Sequence, residues 1–377
     1  MNRIKYIGFY NHNSSKINRT CALSAVNKMD YVISSLNEIG YGVDIISPSW
    51  LVPTEKSFFK RGETISLANN NYIYSPSFNT KYKLLSYFTI ILSWVWLFFY
   101  LLFKVKKNEK IIIYHSIWLL APLIFIRLFK ELDIILEVEE IYSDVNSLHK
   151  KFKKKELKFI RNSNSFIFST DLLDKKINLE NKPSVILYGN YKVFPRLNKT
   201  NNDNKIHLLY AGIIDKDKAG AFNAVEAMRF LDEKYILHVI GFGEIEELKE
   251  KIRIVNSLSK AVIFYDGLKT GDDFIIYAQK CHIGLSTQKM EGEYLDTSFP
   301  SKILTYLGLG LNVVSCNIRC VEVSAISKLV SSYSIDKPEE ISKSIQEVEL
   351  RSFQEITEKL NLLNNNFKNK LIEIITK

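Results

Sequence analysis

Cysteine is scarce in this chain, and its placement excludes several chemistries. Only Cys21, Cys281, Cys316 and Cys320 occur among 377 residues. None forms a C-x-x-C pair, and Cys316 and Cys320 have no histidine near them in sequence. Neither a disulfide framework nor a zinc site is expected, and the four read as reduced cytoplasmic thiols. The dinucleotide-binding spacing G-x-G-x-x-G is missing too: Gly241 and Gly243 are followed by Glu246 where a third glycine belongs. A nicotinamide cofactor is therefore not expected. No G-x-x-x-x-G-K-[ST] loop occurs, which argues against a P-loop NTPase. No clear Asp-x-Asp metal motif stands out, so neither metal nor resident cofactor is expected. The opening residues MNRIKYIGFY lack a long apolar run with a small-residue cleavage site and read as a first strand, not a signal peptide.

What is present describes a globular protein. Apolar residues make up 46% and charged residues 24%, and the length suits two ordinary domains. The formal charge of +10 favours an anionic partner: nucleic acid, acidic lipid or a phosphorylated substrate. No nucleic-acid-reading module accompanies the basic residues, so nucleic acid is not expected.

From Leu84 to Phe103 the chain carries no charge, with Lys81 and Lys83 before it and KVKK after it. Three readings stand open: a membrane span, a helix lying on or dipping into a membrane surface, and a helix buried against a sheet. A span would place the flanking strand-like stretches on opposite sides of a membrane. The basic run HKKFKKKELK, His149 to Lys158, reads either as a solvated face or as a surface for anionic lipid.

Strand-like runs alternate with helical spacing along the chain. Lys5–Tyr10, Val43–Ile46, the IIIYHS run with its strand ending at His115, Ile134–Glu140, Ser165–Ser169 and Val185–Asn190 read as strands. Between them Ala22–Ile39, the apolar stretch, Trp118–Phe129 (with Pro122 as a possible break) and Lys150–Arg161 read as helices, and residues 64–74 as an edge strand or hairpin. The polar LNKTNNDNK then separates this half from a second round of alternation that begins at IHLLYAG. The expected architecture is α/β, with two Rossmann-like domains facing a cleft and a boundary near residue 198. Residues 1–197 form the first domain, 198–350 the second, and 351–377 terminal helices that pack back on the first.

The second half carries the clearest chemistry. Tyr210-Ala211-Gly212 ends a strand, and Lys218 and Gly220 precede a helix, a pattern suited to cradling phosphate. Further on, DTSFPSKILTYLGLG opens a helix with Pro300, Ser301 and Lys302. Proline is tolerated in a first helical turn, and Ser298 or Ser301 is placed to cap it. The helix amides and Lys302 would then face a diphosphate. In the first half, His115 ends a buried strand. Glu140 and Asp144 follow another strand as candidates for acceptor recognition or base work.

In their order, YAG with Lys218, VIGFGE, FYDG and FPSKILTYLGLGLNVVS resemble landmarks of the retaining GT-B glycosyltransferases, in particular bacterial group-1, family 4-like enzymes of capsule, exopolysaccharide or lipopolysaccharide synthesis. IIIYHS, EVEE and LYGN in the first half fit the same order. The resemblance implies transfer of a sugar from a UDP- or GDP-linked donor to a glycan acceptor, such as an undecaprenyl-diphosphate-linked one, by a cytoplasmic enzyme peripheral on the inner face of the cell membrane. It places Gly212, Lys218, Ser301 and Lys302 at the diphosphate, Gly241 and Gly243 near the nucleotide, and Tyr265 and Gly267 near the base. Lys302 doubles as a catalytic group in stabilising the leaving diphosphate. His115 is placed at the donor sugar or acceptor. The two glutamates usual in the family are absent: Thr297 and Thr305 stand in their places, and Ile213 replaces an arginine. Thr305 retains one hydroxyl for a ribose. Glu291, Glu293 and Asp296 are candidates to replace the lost carboxylate, Glu293 foremost. The alternative is a noncatalytic assembly scaffold that kept the fold.

Overall fold

Isoleucine-rich runs buried on both faces set the first sheet. The computed structural model describes residues 2–13, 15, 17–52, 55, 58–79, 83–145, 151–197, 203–289 and 297–377. The chain divides into two units, Met1–Tyr188 with Phe367–Lys377, and Gly189–Asn366.

In the first unit β1 (Asn2–Ile7), α1 (Leu23–Glu38) and β2 (Tyr41–Ser47) lead to a ribbon of β3 (Phe59–Lys60) with the later β6 (Ser77–Phe78), and to a hairpin of β4 (Glu63–Leu67) and β5 (Asn70–Tyr74). Next come α2 (Lys83–Lys104), β7 (Lys110–Tyr114), α3 (Leu120–Ile126), β8 (Asp133–Val138), α4 (Tyr142–Val145), α5 (Lys153–Arg161), β9 (Ser165–Phe168), α6 (Asp171–Ile177) and β10 (Ser184–Ile186). The eight-stranded sheet runs β10-β9-β8-β7-β1-β2-β5-β4. Only β4 is antiparallel. It is the polar edge strand, as suits an edge that must not recruit another chain. The central β7, β8 and β9 are buried along nearly their whole length, the pattern of a parallel sheet covered on both faces. Chain order reverses between β1 and β7, the place where such sheets open to ligands.

The second unit contains β11 (Ile206–Ile214), α7 (Gly220–Ala227), β12 (Tyr235–Gly243), α8 (Ile245–Leu258), β13 (Val262–Tyr265), α9 (Gly271–Ala278), β14 (Ile283–Ser286), α10 (Ser301–Gly308), β15 (Asn312–Cys316), α11 (Arg319–Glu322), β16 (Val330–Tyr333) and α12 (Pro338–Gln346). Its six strands are all parallel in the order β13-β12-β11-β14-β15-β16. That is the Rossmann order, with the reversal between β11 and β14. The last helix, α13 (Phe353–Thr376), starts in this unit and ends in the first. There Phe367 packs on Tyr31 with ring centroids 5.8 Å apart, and Lys110 Nζ donates to the Ile374 carbonyl at 3.0 Å.

Three elements differ from the sequence expectation. The helix expected over 118–129 is shorter. A 3-10 turn at Ile117–Leu119 leads into α3, whose first turn holds Pro122 without a break. α6 was not foreseen. Its signal is local: Thr170 caps it by accepting from the Leu173 amide at 3.0 Å. β16 was also missed, because its VSSY run is mostly polar and lies at a sheet edge.

Candidate functional site

The second unit's site grows from the ends of β11 and β12. Gly212 and Gly241 face one another across these strands. A Cβ on Gly241 would lie 1.9 Å from the Gly212 carbonyl oxygen, so no side chain fits there. A Cβ on Gly212 would meet Lys302 Cε and Nζ, each at 2.6 Å, at a backbone φ of 150°. The glycine is what lets Lys302 lie against the strand end.

Lys302 sits in the first turn of α10. Its Nζ donates to the Tyr210 hydroxyl at 2.9 Å and lies 4.0 Å from the Tyr210 ring centroid. Burial foremost, then the nearby positive Lys218, lower its pKa to about 8. A half-buried cation beside a second cation is a favourable setting for an anion. Neither Ser298 nor Ser301 caps α10: Pro300 is the N-cap residue and no side chain accepts from the first-turn amides. These amides and the helix dipole add to the same preference.

Around them lies a pocket of about 300 Å³ whose walls include Gly212, Gly241, Leu268, Ser301, Lys302 and Thr305. Gly243 ends β12 beside Ile214. The Tyr265 hydroxyl donates to the Gly241 carbonyl at 2.9 Å, and the Gly241 amide donates to the Gly267 carbonyl at 3.1 Å. Of the residues named from the sequence, Gly212, Gly241, Gly243, Tyr265, Gly267, Ser301, Lys302 and Thr305 therefore lie around this pocket or bond to its walls. Lys218 is exposed, and its amide donates to Asp215 Oδ1 at 3.3 Å. Asp215 and Asp217 are Asp-x-Asp in form, but Asp215 Oδ1 also accepts the Asp217 amide at 2.7 Å, so it serves as a turn cap. Among the described residues no three His, Cys, Asp or Glu side chains gather to hold a metal ion.

Thr305 uses its hydroxyl to donate to the Ser301 carbonyl at 3.2 Å, and Thr297 is buried. Glu291, Glu293 and Asp296 lie outside the described residues. Sequence reasoning missed Tyr210 and Tyr306 as site-builders. The Tyr306 hydroxyl accepts from the Ala211 amide at 2.9 Å and so fixes β11 just before Gly212. The position of Tyr210, directly before Ala211-Gly212, was the available signal. Also unforeseen was a chain of side chains behind the pocket: His207 Nδ1 lies 2.9 Å from His238 Nε2, and His238 Nδ1 lies 3.1 Å from Asp266, the neighbour of Gly267.

In the first unit the ends of β7 and β8 concentrate carboxyl groups. Glu137 is fully buried and accepts from the Tyr6 hydroxyl. Burial, then the charge of Glu139, push its pKa up. Glu139 pairs with Lys28 at 2.9 Å, and Lys28 also donates to the Leu187 carbonyl at 2.6 Å. Glu140 is half-buried, and burial followed by Glu139 and Glu156 raise its pKa, which suits a proton-carrying group. His115 is buried, with Nε2 held 2.9 Å from Glu156 Oε1. Glu156 also accepts the Tyr142 and Ser143 amides at 2.8 and 3.1 Å. Burial pushes Glu156 up, but the hydrogen bonds from His115 and Ser143 outweigh it and hold it below the usual range. His115 thus ties α5 to the strand end through one nitrogen, while Nδ1 has no partner among the described residues. Asp144 is engaged by Lys153 at 2.5 Å and Lys176 at 3.0 Å.

No protein-family model and no curated protein matches the chain. Solved structures do. A UDP-forming α,α-trehalose-phosphate synthase from Burkholderia xenovorans superimposes with a TM-score of 0.66 at 10% identity, covering 100% of this chain and 99% of that one. A structure described as trehalose-6-phosphate from E. coli bound with UDP-2-fluoro glucose gives 0.64 at 9% identity, covering 100% and 99%. Sucrose-phosphate synthase from Thermosynechococcus elongatus gives 0.59 at 10% identity, covering 100% and 95%. The chain has the GT-B fold. Its two Rossmann-like units match these proteins over nearly their full lengths, and at such low identity it is the fold that is shared.

Proposed function

We propose that this GT-B chain is a glycosyltransferase. It moves a sugar from a UDP- or GDP-linked donor to a lipid-linked glycan, such as an undecaprenyl-diphosphate-linked one, during bacterial surface polysaccharide synthesis. It works in the cytoplasm, peripheral on the inner face of the membrane, and retains anomeric configuration. The observation that carries the proposal is Lys302: a half-buried amine against Gly212, next to Lys218, at the uncapped start of α10. Catalysis here is stabilisation of the departing diphosphate. As the bond from the anomeric carbon to the phosphate oxygen breaks, negative charge grows where Lys302, Lys218 and the α10 amides stand. The acceptor hydroxyl forms the new bond, and its proton goes to the leaving phosphate or to a carboxylate. No metal is needed for this.

The nucleotide lies along Gly241 and Gly243, with its base near Tyr265 and Gly267 and its ribose near Thr305. Acceptor handling falls to the first unit, with Glu140 carrying the proton and His115, whose buried Nδ1 has no partner among the described residues, as a hydrogen-bonding group. Glu293 takes the place of the missing donor-sugar glutamate. The fold match to a protein solved with UDP-2-fluoro glucose supports a nucleotide-sugar donor. The threonines at 297 and 305 favour a second reading, a scaffold that kept the fold and lost turnover.

Titration with UDP-, GDP- and CMP-sugars, followed by assay of donor hydrolysis, separates the two. The transferase binds one donor and hydrolyses it slowly; a scaffold binds none. Replacing Lys302 by alanine should cut turnover steeply, and unchanged turnover would remove its assigned role.

A further inference from the structure

The faces of α2 are inverted. Its inward stripe is Thr89, Ser93, Leu97 and Leu101, all buried. Its outward stripe is Phe88, Ile91, Val95, Phe99 and Phe103, between 46% and 73% exposed. The solvent side is thus more apolar than the core side. The ridge continues on and after α3, where Ile124, Phe125, Leu128 and Phe129 are also exposed. Phe98 joins the two helices, with ring centroids 5.2 Å from Phe125 and 5.7 Å from Phe129. An exposed apolar surface of this kind on one side of a soluble unit marks an interaction site.

Beside this ridge, between α3 and α5, opens a pocket of about 660 Å³. Trp118, Phe125, Leu128 and Phe159 form apolar walls, and Arg127, Lys155 and Lys158 supply positive charge. Arg127 lies over the Phe159 ring at 5.1 Å. Among the described residues none of the three cations has a carboxylate within ion-pair reach. Trp94 also lines the pocket, and its buried indole N–H has no acceptor among the described residues. Arg127 does donate to the Asn162 carbonyl at 3.2 Å, but an apolar chamber lined with cations that lack carboxylate partners is complementary to an amphiphile: a hydrocarbon chain within and an anionic phosphate at the mouth.

We propose that this pocket takes one hydrocarbon chain of an anionic membrane phospholipid, with its phosphate held by Arg127, Lys155 and Lys158, while the ridges of α2 and α3 lie in the membrane interface. The proposal rests on the functional reading above only for its membrane location. The lipid is a ligand of the first unit in its own right, separate from donor and glycan. It makes the protein a reader of headgroup charge, held where the membrane is anionic.

The full-length chain is tested with vesicles of phosphatidylcholine alone and with added phosphatidylglycerol, by co-sedimentation and by quenching of tryptophan fluorescence with chain-brominated phosphatidylglycerol. The expected result is binding at least tenfold stronger to the anionic vesicles, with quenching that falls in Trp94→Phe and Trp118→Phe. The double variant Lys155→Glu/Lys158→Glu should lose the headgroup preference. Ala121→Phe narrows the pocket, so it should keep sedimentation through the ridge while losing the Trp94 share of the quenching. Circular dichroism of each variant confirms folding. Equal binding to both vesicle types, or quenching that ignores Trp94 and Trp118, overturns the proposal. So does a chain that ignores vesicles and self-associates through the ridge. Sugar-nucleotide titration of the same samples keeps the two questions apart. Lipid binding without donor binding leaves the pocket standing and sinks the transferase; donor binding without lipid binding does the reverse.

Discussion

At the scale of single residues the proposal turns on Lys302. Its pKa is lowered to about 8, by burial first and Lys218 second. Diphosphate binding needs the ammonium form. Affinity should therefore be full below about pH 8 and fall as pH rises through that value, approaching about tenfold per pH unit. Calorimetric titration across this range checks the sign. Without ligand the sign of the stability effect is opposite. The unfolded chain holds the lysine proton up to about 10.4, so stability should rise with pH between about 8 and that value. Gly212→Ala forces a methyl group to 2.6 Å from the lysine amine and should displace it. It should weaken donor binding about 10- to 100-fold, comparable with loss of a charged hydrogen bond worth roughly 1.5–3 kcal/mol. Gly212, Lys218 and Lys302 stood out in the sequence because glycine and lysine beside strand and helix ends have few structural reasons to be there, and the structure brings Gly212 and Lys302 to one pocket. Tyr210 and Tyr306 were not, since a tyrosine in an apolar run reads as core until its hydroxyl has a partner.

Elements show where periodicity stops informing. α2 is apolar all round, so the sequence could state a helix but not which face turns inward. The choice is made by the i, i+4 fit of Leu97 and Leu101 into the core of β7 and β8, and that leaves the larger side chains outside. Phe99→Ser and Phe103→Ser should therefore cost little stability in urea melts, within about 0.5 kcal/mol, as expected of exposed positions. α5 behaves oppositely. It is mostly basic, yet it is pinned by fully buried Glu156, which accepts from His115 and from two amides of α4. Glu156→Ala should destabilise by about 3–5 kcal/mol, because His115 and both amides lose their acceptor together. Its folded pKa lies below the ordinary carboxyl value, so its contribution is present above that value and lost as pH falls through the folded one. Acid titration of the melting temperature, with and without this variant, reads the difference.

On the scale of the whole molecule the α/β alternation was plain. Buried parallel strands such as β7 and β8 are uninterrupted apolar runs between turn residues, and these stand out from helices by length. Strand order was not legible, because nothing in a strand's own residues says whether the next one pairs to its left or right. The reversal between β11 and β14 brings Gly212 and the start of α10 to one pocket, and only the folded chain shows it. The carboxylate side of the site was the least readable part. Thr297 and Thr305 stand where the resemblance implies glutamates, and such a difference leaves no local pattern to show what takes their place.

Titration of the folded chain with a panel of sugar nucleotides, wild type beside Lys302→Ala, at about pH 7 and about pH 9, tests the diphosphate site most directly. The expected result is one micromolar donor, weaker at the higher pH and weakened at least about tenfold by the substitution. Binding that is indifferent to both pH and Lys302, or no binding to any donor, would contradict the assignment of this pocket to a nucleotide diphosphate.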